Sequence, residues 1–279
     1  MRRAAALAYL LARTSDTLAD SASAPPALRL ECLDHFARAI AAAQPLPPWP
    51  AAVIDGTPDL TEKRLLTATA ALLVEFVALP DAEARLIQEV CSIIISGQRL
   101  DLERFGNASA ARPVALCDEA ELDDYTWRVA GCVGAFWTKL GYHTLGSRFS
   151  SEAPERLEQH AIAYGKGLQL VNILRDLPAD LAGGRCYLPL KNPADPALLS
   201  AGRLFWIHRA EQLIASGFAY SAALRQRRLR AASVLPAMIA RDTLRLLAAT
   251  PDALQGCIKV PRRAVYQSLI RAFIAPPAA

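Results

Sequence analysis

Between Gln169 and Asp180, polar side chains recur at steps of three and four (Gln169, Asn172, Asp176 and Asp180), while Leu170, Val171, Ile173 and Leu174 fill most of the remaining circumference. That spacing places the four on one helix face. A polar stripe turned toward a bundle interior is costly unless it holds something; the other reading is an exposed amphipathic face. Either way the apolar sides need other helices to cover them. Composition agrees, because the 279 residues are 53% hydrophobic with only 14 glycines, and Val, Ile and Thr runs that alternate with polar residues are almost absent. We expect one all-α domain over residues 1–279, a helical bundle around a central cavity, with no internal repeat or composition shift to mark a second domain.

Proline and glycine punctuate the bundle. Helices are expected over about residues 3–20 and 26–43, separated by the turn at Ser21 to Pro26. After the proline-rich stretch 45–58 they resume over about 59–78, 81–105, 117–140 and 152–177, with breaks at Pro80, Arg112-Pro113 and 141–151. Four more follow, near 200–216, 218–231, 233–249 and 261–274. Pro178 lacks an amide donor and clashes with the carbonyl of Leu174, so its helix should kink or end inside the polar stripe. The freedom of Gly183-Gly184 would let Arg185 return toward it.

A formal charge of +4, from 31 Lys and Arg against 27 Asp and Glu, is too small for a nucleic-acid binder and fits an anionic ligand, whether a phosphate or an anionic membrane. The cysteines Cys32, Cys91, Cys117, Cys132, Cys186 and Cys257 show no C-x-x-C spacing, which points to reduced thiols in a cytoplasmic setting. Arg13, Glu75 and Glu89 interrupt the longest apolar runs, so none reaches the roughly 18 to 20 residues of a membrane span. Met1-Arg2-Arg3 and the apolar residues 4–12 imitate a signal peptide, but Arg13 and Asp16 follow at once, and the segment reads as a helix. The basic run Arg225 to Arg230 is a solvated helix face or a patch for peripheral membrane contact, the former favoured.

The spacing of the stripe's two aspartates has a counterpart near the start, where Asp16 and Asp20 lie four apart on a predicted helix with Cβ atoms roughly 5 to 6 Å apart. Read alone, that pair is a solvated helix end. Read with Asp176 and Asp180, it makes a second carboxylate cluster, and two such clusters facing one cavity suit magnesium, which takes one or two carboxylates plus substrate phosphates. Arg13, Arg175 and Arg185 flank the aspartates with guanidinium forks able to hold phosphate oxygens, or simply to form ion pairs.

The run from Gln169 through Arg185 to Pro189 resembles the second signature of the squalene and phytoene synthase family; Tyr125 to Gly134 resembles its tyrosine-containing signature, and Arg13 to Asp20 its first aspartate-rich segment. The resemblance covers nearly the whole chain. It implies an isoprenoid-synthase fold in which Asp16, Asp20, Asp176 and Asp180 hold Mg2+, while Arg13, Gln169, Asn172, Arg175 and Arg185 bind prenyl diphosphates. Tyr125 matches a residue for proton handling or cation stabilisation, although a tyrosine among apolar helix residues is also plain core. Asp101, in Gly97 to Leu102, matches a cavity-lining segment or is an ordinary helix acid beside Arg99 and Arg104. The small residues from Val129 to Gly134 would leave room for a prenyl chain or allow close helix packing. Against the family pattern, an upstream Ser/Arg/Phe helix is expected to be missing, and Ser21 stands where a further acid is usual.

The activity implied is head-to-head joining of two prenyl diphosphates through a cyclopropyl intermediate. The run Arg13 to Asp20 looks more like the squalene branch, which implies two farnesyl diphosphates, presqualene diphosphate and reduction by NADPH. Phytoene or dehydrosqualene formation, by proton loss, is the alternative. The competing class is a non-catalytic lipid-binding protein on the same bundle, against which stands the presence of all four aspartates. The oligomeric state stays open.

Overall fold

The computed structural model describes residues 1–21, 24–42, 44–193, 195–250 and 258–274, and its backbone divides into two compact units, Met1–Gly106 and Asn107–Ala279.

The first unit contains α1 (Arg2–Asp20), α2 (Pro26–Ala42), the short α3 (Ala51–Asp55), α4 (Leu60–Val77) and α5 (Asp81–Phe105). Helix α1 packs against α2, α4 and α5. It does so because Ala4, Leu7, Ala8, Leu11 and Leu18 recur at helical spacing and are all buried. Leu11 and Leu18, with no exposed surface, contribute about 1.5–3 kcal/mol each. The hydroxyls buried on α1 are satisfied locally: Thr14, Ser15 and Thr17 donate to the carbonyls of Leu10, Ala12 and Arg13. The proline-rich stretch is not wholly irregular, since it holds α3 and the buried Trp49, whose indole N–H donates to the Leu66 carbonyl at 3.1 Å.

The second unit contains β1 (Val114–Ala115), α6 (Glu119–Thr126), a π turn (Trp127–Gly131), α7 (Cys132–Leu145), a 3-10 turn (Gly146–Arg148), α8 (Pro154–Ala182), β2 (Arg185–Cys186), α9 (Pro196–Ala223), α10 (Arg227–Ala249) and α11 (Arg262–Ile274). Helix α8 is central, packing against α7, α9, α10 and the π turn. The small residues around the start of α7 serve this packing: a Cβ on Gly134, in the first turn of α7, would overlap the Ala161 carbonyl, and one on Gly165 of α8 the Ala130 carbonyl.

Several boundaries differ from the sequence expectation, each for a packing reason. Helix α8 does not end at the stripe but runs through Pro178 to Ala182. Leu174 and Leu177, each 1% exposed, stand in the turn just before the proline, and their burial offsets the roughly 3 kcal/mol that an interior proline costs. Helix α7 passes Gly141, where the missing Cβ admits the fully buried ring of Phe149. Helix α9 likewise passes Gly217, which lies against the Tyr164 ring, so the expected break moves to Leu224. There the backbone turns extended and is pinned when Arg225 N–H donates to the Phe149 carbonyl at 2.9 Å. Two short strands were also not expected: β1 and β2 pair in parallel, Val114 with Arg185 and Ala115 with Cys186.

Cys32, Cys91, Cys117, Cys132 and Cys186 form no disulfide, and Cys257 lies outside the described residues. Burial pushes the Cys132 thiol up to about 12, far from reactivity. Among the described residues no helix is long and apolar enough to cross a membrane.

Candidate active site

In the first unit the acidic cluster is built by α1, α4 and α5. With Thr14, Ser15, Thr17 and Leu18 buried, α1 turns Asp16 outward as a half-buried carboxylate and leaves Asp20 exposed one turn later. Gln98 of α5, only 7% exposed, donates its amide N–H to Asp16 Oδ1, while its own carbonyl oxygen is buried without a hydrogen-bond partner. Arg13 stands 3.9 Å from Asp16 but donates to Glu62 on α4. Asp59 caps α4 by accepting from the Thr61 and Glu62 amides at 2.6 and 3.1 Å, and so fixes where Glu62 begins. Burial, then the nearby charge of Asp20, push the Asp16 carboxyl up to about 6, against the smaller opposing effects of Gln98 and Arg13. The Asp16 side chain is still 44% exposed, so solvent screening trims that effect.

In the second unit the cluster is built by α8 and the turn that follows. Asp176 accepts two hydrogen bonds from Arg175, at 2.8 and 2.6 Å. Asp180 accepts one from Arg185 Nη2 at 2.9 Å, which makes the expected return of Arg185 to the stripe a fact of the fold. Two features produce that return. Gly184 takes φ +80, and a Cβ there would overlap the Ser109 carbonyl, so no other residue fits. The Gly184 carbonyl then accepts from Val114 N–H at 2.8 Å, locking β2 onto β1. Burial raises the Asp180 carboxyl more than the Arg185 charge lowers it, and Asp176 raises it further. Gln169 and Asn172 touch only at the limit of a hydrogen bond, 3.5 Å.

Tyr125, at the last turn of α6, is buried and stacks on Tyr187, with ring centroids 4.8 Å apart and planes at 25°. The π turn begins two residues after it, a local widening that recurs at functional sites. The stack ties the tyrosine signature to the strand that carries Arg185.

The structure thus pairs Arg13 with Asp16, Arg175 with Asp176, Arg185 with Asp180, and Gln169 with Asn172. Gln98, Glu62 and Tyr187 join them without having been singled out in the sequence. Gln98 left a signal, a lone amide among the buried Ile94, Ile95 and Leu102 of α5; Glu62 left none, because Asp59-x-x-Glu62 reads simply as a helix start. Asp101 follows Gln98 by one turn and is half-buried. Among the described residues no group of three or more His, Cys, Asp or Glu side chains forms a metal site by itself.

The family model for squalene/phytoene synthase matches residues 1–264, and the chain belongs to that family. It is 37% identical over 122 residues to the presqualene diphosphate synthase of Zymomonas mobilis, a match covering 44% of this chain and 36% of that protein. It is 29% identical over 191 residues to the squalene synthase of Saccharomyces cerevisiae, covering 68% of this chain and 40% of the relative. These matches therefore span about two fifths of the relatives' length. Among solved structures, the complex of TcSQS with the ligand E5700 superposes with a TM-score of 0.77 at 22% identity, covering 97% of this chain and 78% of that one. The chain has the all-α isoprenoid synthase fold.

Proposed function

We propose that this protein joins two prenyl diphosphates head to head, and that its substrates are two farnesyl diphosphates converted through presqualene diphosphate to squalene. The observation that carries the reading is the second cluster, where Asp176 and Asp180 on one helix each hold an arginine, so that carboxylates and phosphate-binding forks stand together. Squalene rather than phytoene rests on the run Arg13 to Asp20.

Magnesium fits the donor set. All four aspartates are hard oxygen ligands, and burial, which raises the carboxyls of Asp16 and Asp180, disfavours their bare ionised form, which a dication would stabilise. Asp16 and Asp20 in one cluster, Asp176 and Asp180 in the other, are the residues that would hold it. Bound there, it would neutralise diphosphate charge and favour departure of the leaving oxygen.

The chain's own side chains supply the rest. Arg175 and Arg185 exchange their carboxylates for phosphate oxygens and stabilise the charge that grows when the allylic C–O bond breaks with its electron pair. The double bond of the second prenyl chain attacks the resulting cation, and loss of a proton closes the cyclopropane. The stacked Tyr125 and Tyr187 offer a π face to the cation while excluding water.

The test is incubation with farnesyl or geranylgeranyl diphosphate and Mg2+, with and without NADPH, followed by product identification. Squalene with NADPH and presqualene diphosphate without it are expected. Phytoene or dehydrosqualene, unchanged by NADPH, would overturn the squalene assignment and leave prenyl transfer standing. Absence of diphosphate release under every condition would return the chain to the lipid-binding class.

A further inference from the structure

Helix α11 is attached by its small side. Ser268 and Ala272 are buried and the helix packs on α10, whereas Tyr266, Leu269, Ile270, Phe273 and Ile274 are 39–72% exposed. These five recur at i, i+3, i+4, i+7 and i+8, so they form one continuous apolar face. A contiguous face of that size on a protein surface marks an interaction site.

The surrounding charge names the partner. Lys259, Arg262, Arg263 and Arg271 are exposed, and the described residues 258–274 contain no acid. The basic start of α10 belongs to the same surface, because Arg227 donates to the Phe273 carbonyl at 3.0 and 2.5 Å, and Arg228 beside it is exposed. A second copy of this chain docking isologously would bring these arginines against their own equivalents. An anionic surface instead satisfies them while the large apolar residues enter its boundary. At 13 residues, about 20 Å by helical rise, α11 is too short to span a bilayer and suited to lie along one.

We propose that α11, with the basic start of α10, is an interfacial helix that docks this protein on anionic lipid. Tyr266, Leu269, Ile270, Phe273 and Ile274 sink into the headgroup boundary, and the arginines pair with lipid phosphates. This surface is independent of the aspartate clusters and stands whether or not the catalytic reading does.

The experiment is flotation of the full chain with vesicles of phosphatidylcholine alone and of phosphatidylcholine mixed with phosphatidylglycerol, at low and high salt. Binding to the mixed vesicles that weakens with salt is expected. The double variant Ile270→Glu with Phe273→Glu should bind at least about tenfold more weakly, and Arg262→Gln with Arg263→Gln roughly fivefold more weakly per charge removed. Helical circular dichroism equal to wild type shows that the variants fold. Equal binding to neutral and anionic vesicles, no binding to either, or unchanged binding by both variants would overturn the proposal. So would a dimer of the wild type in sedimentation that Ile270→Glu with Phe273→Glu dissolves, since the face would then belong to a second copy.

Discussion

The two aspartate clusters use the same four-residue spacing but balance their charge differently. On α8 each aspartate has its own arginine, Arg175 for Asp176 and Arg185 for Asp180. On α1 the neighbouring Arg13 is shared with Glu62, and Asp16 is met most closely by the neutral amide of Gln98. In the α8 cluster each guanidinium sits on one carboxylate, whereas in the α1 cluster Arg13 is divided between Asp16 and Glu62. In the function proposed above, the shared motif serves two tasks: the α1 pair holds metal, and the α8 pair adds phosphate binding.

The largest effect should come from removing one charge in either cluster. Asp16→Asn and Asp176→Asn are each expected to lower magnesium-dependent diphosphate release on the order of 100-fold, about 2.7 kcal/mol in the barrier, with the fold intact. If both clusters act on one diphosphate, the double variant should lose much less than the product of the two losses. Wild-type release in either single variant removes that residue from the site, and full multiplicativity shows that the clusters work independently.

A smaller loss is expected from Gly184→Ala, which strains a left-handed backbone and presses on the Ser109 carbonyl. About 1–3 kcal/mol of stability should disappear in urea titration, and release of diphosphate should fall with it as Arg185 leaves Asp180. An unchanged titration would mean that this turn is not what positions the arginine.

Stability should separate the clusters most directly. The folded Asp16 carboxyl is raised from 3.8 to about 6, so ionising it disfavours the folded state. Its contribution to stability is fully present below the unfolded value and is lost as pH rises through that window. Without metal, Asp16→Asn should therefore raise Tm near pH 7 by about 2 °C and converge with wild type near pH 4. Asp176→Asn breaks a half-exposed ion pair worth about 0–1 kcal/mol and should leave Tm unchanged or slightly lower. Calorimetry across pH checks both, and a higher Tm for Asp176→Asn would erase the distinction. The smallest effect concerns Gln98→Leu, which removes the donor that holds Asp16. The magnesium concentration for half-maximal release should rise about fivefold, matching the roughly 1 kcal/mol of one hydrogen bond; no change would make Gln98 a packing residue.

Much of this was legible in local pattern. The stripe Gln169, Asn172, Asp176 and Asp180 is a helix face by spacing alone, and α1, α2, α4 and α5 begin and end close to where proline, glycine and apolar periodicity place them. The expected return of Arg185 could be read from Gly183-Gly184, because few other residues accept a left-handed turn. Gly217 was misread because it is a breaker by propensity and is overridden by a side chain from elsewhere in the chain, the Tyr164 ring; at Pro178 the helix does not end, carried on by the buried Leu174 and Leu177 of the same helix.

The sequence by itself determined the helical class, the two carboxylate pairs and the arginines beside them, since each follows from residues within a turn or two of one another. Tertiary structure decided which arginine serves which acid, the Gln98 amide against Asp16, Glu62 against Arg13 and the stack of Tyr125 on Tyr187. These partners lie 82, 49 and 62 residues apart along the chain, the last from 187 minus 125. Spacing governs what shares a helix face, but only packing brings separate helices and loops into register, and the charge balance that distinguishes the two clusters is set there.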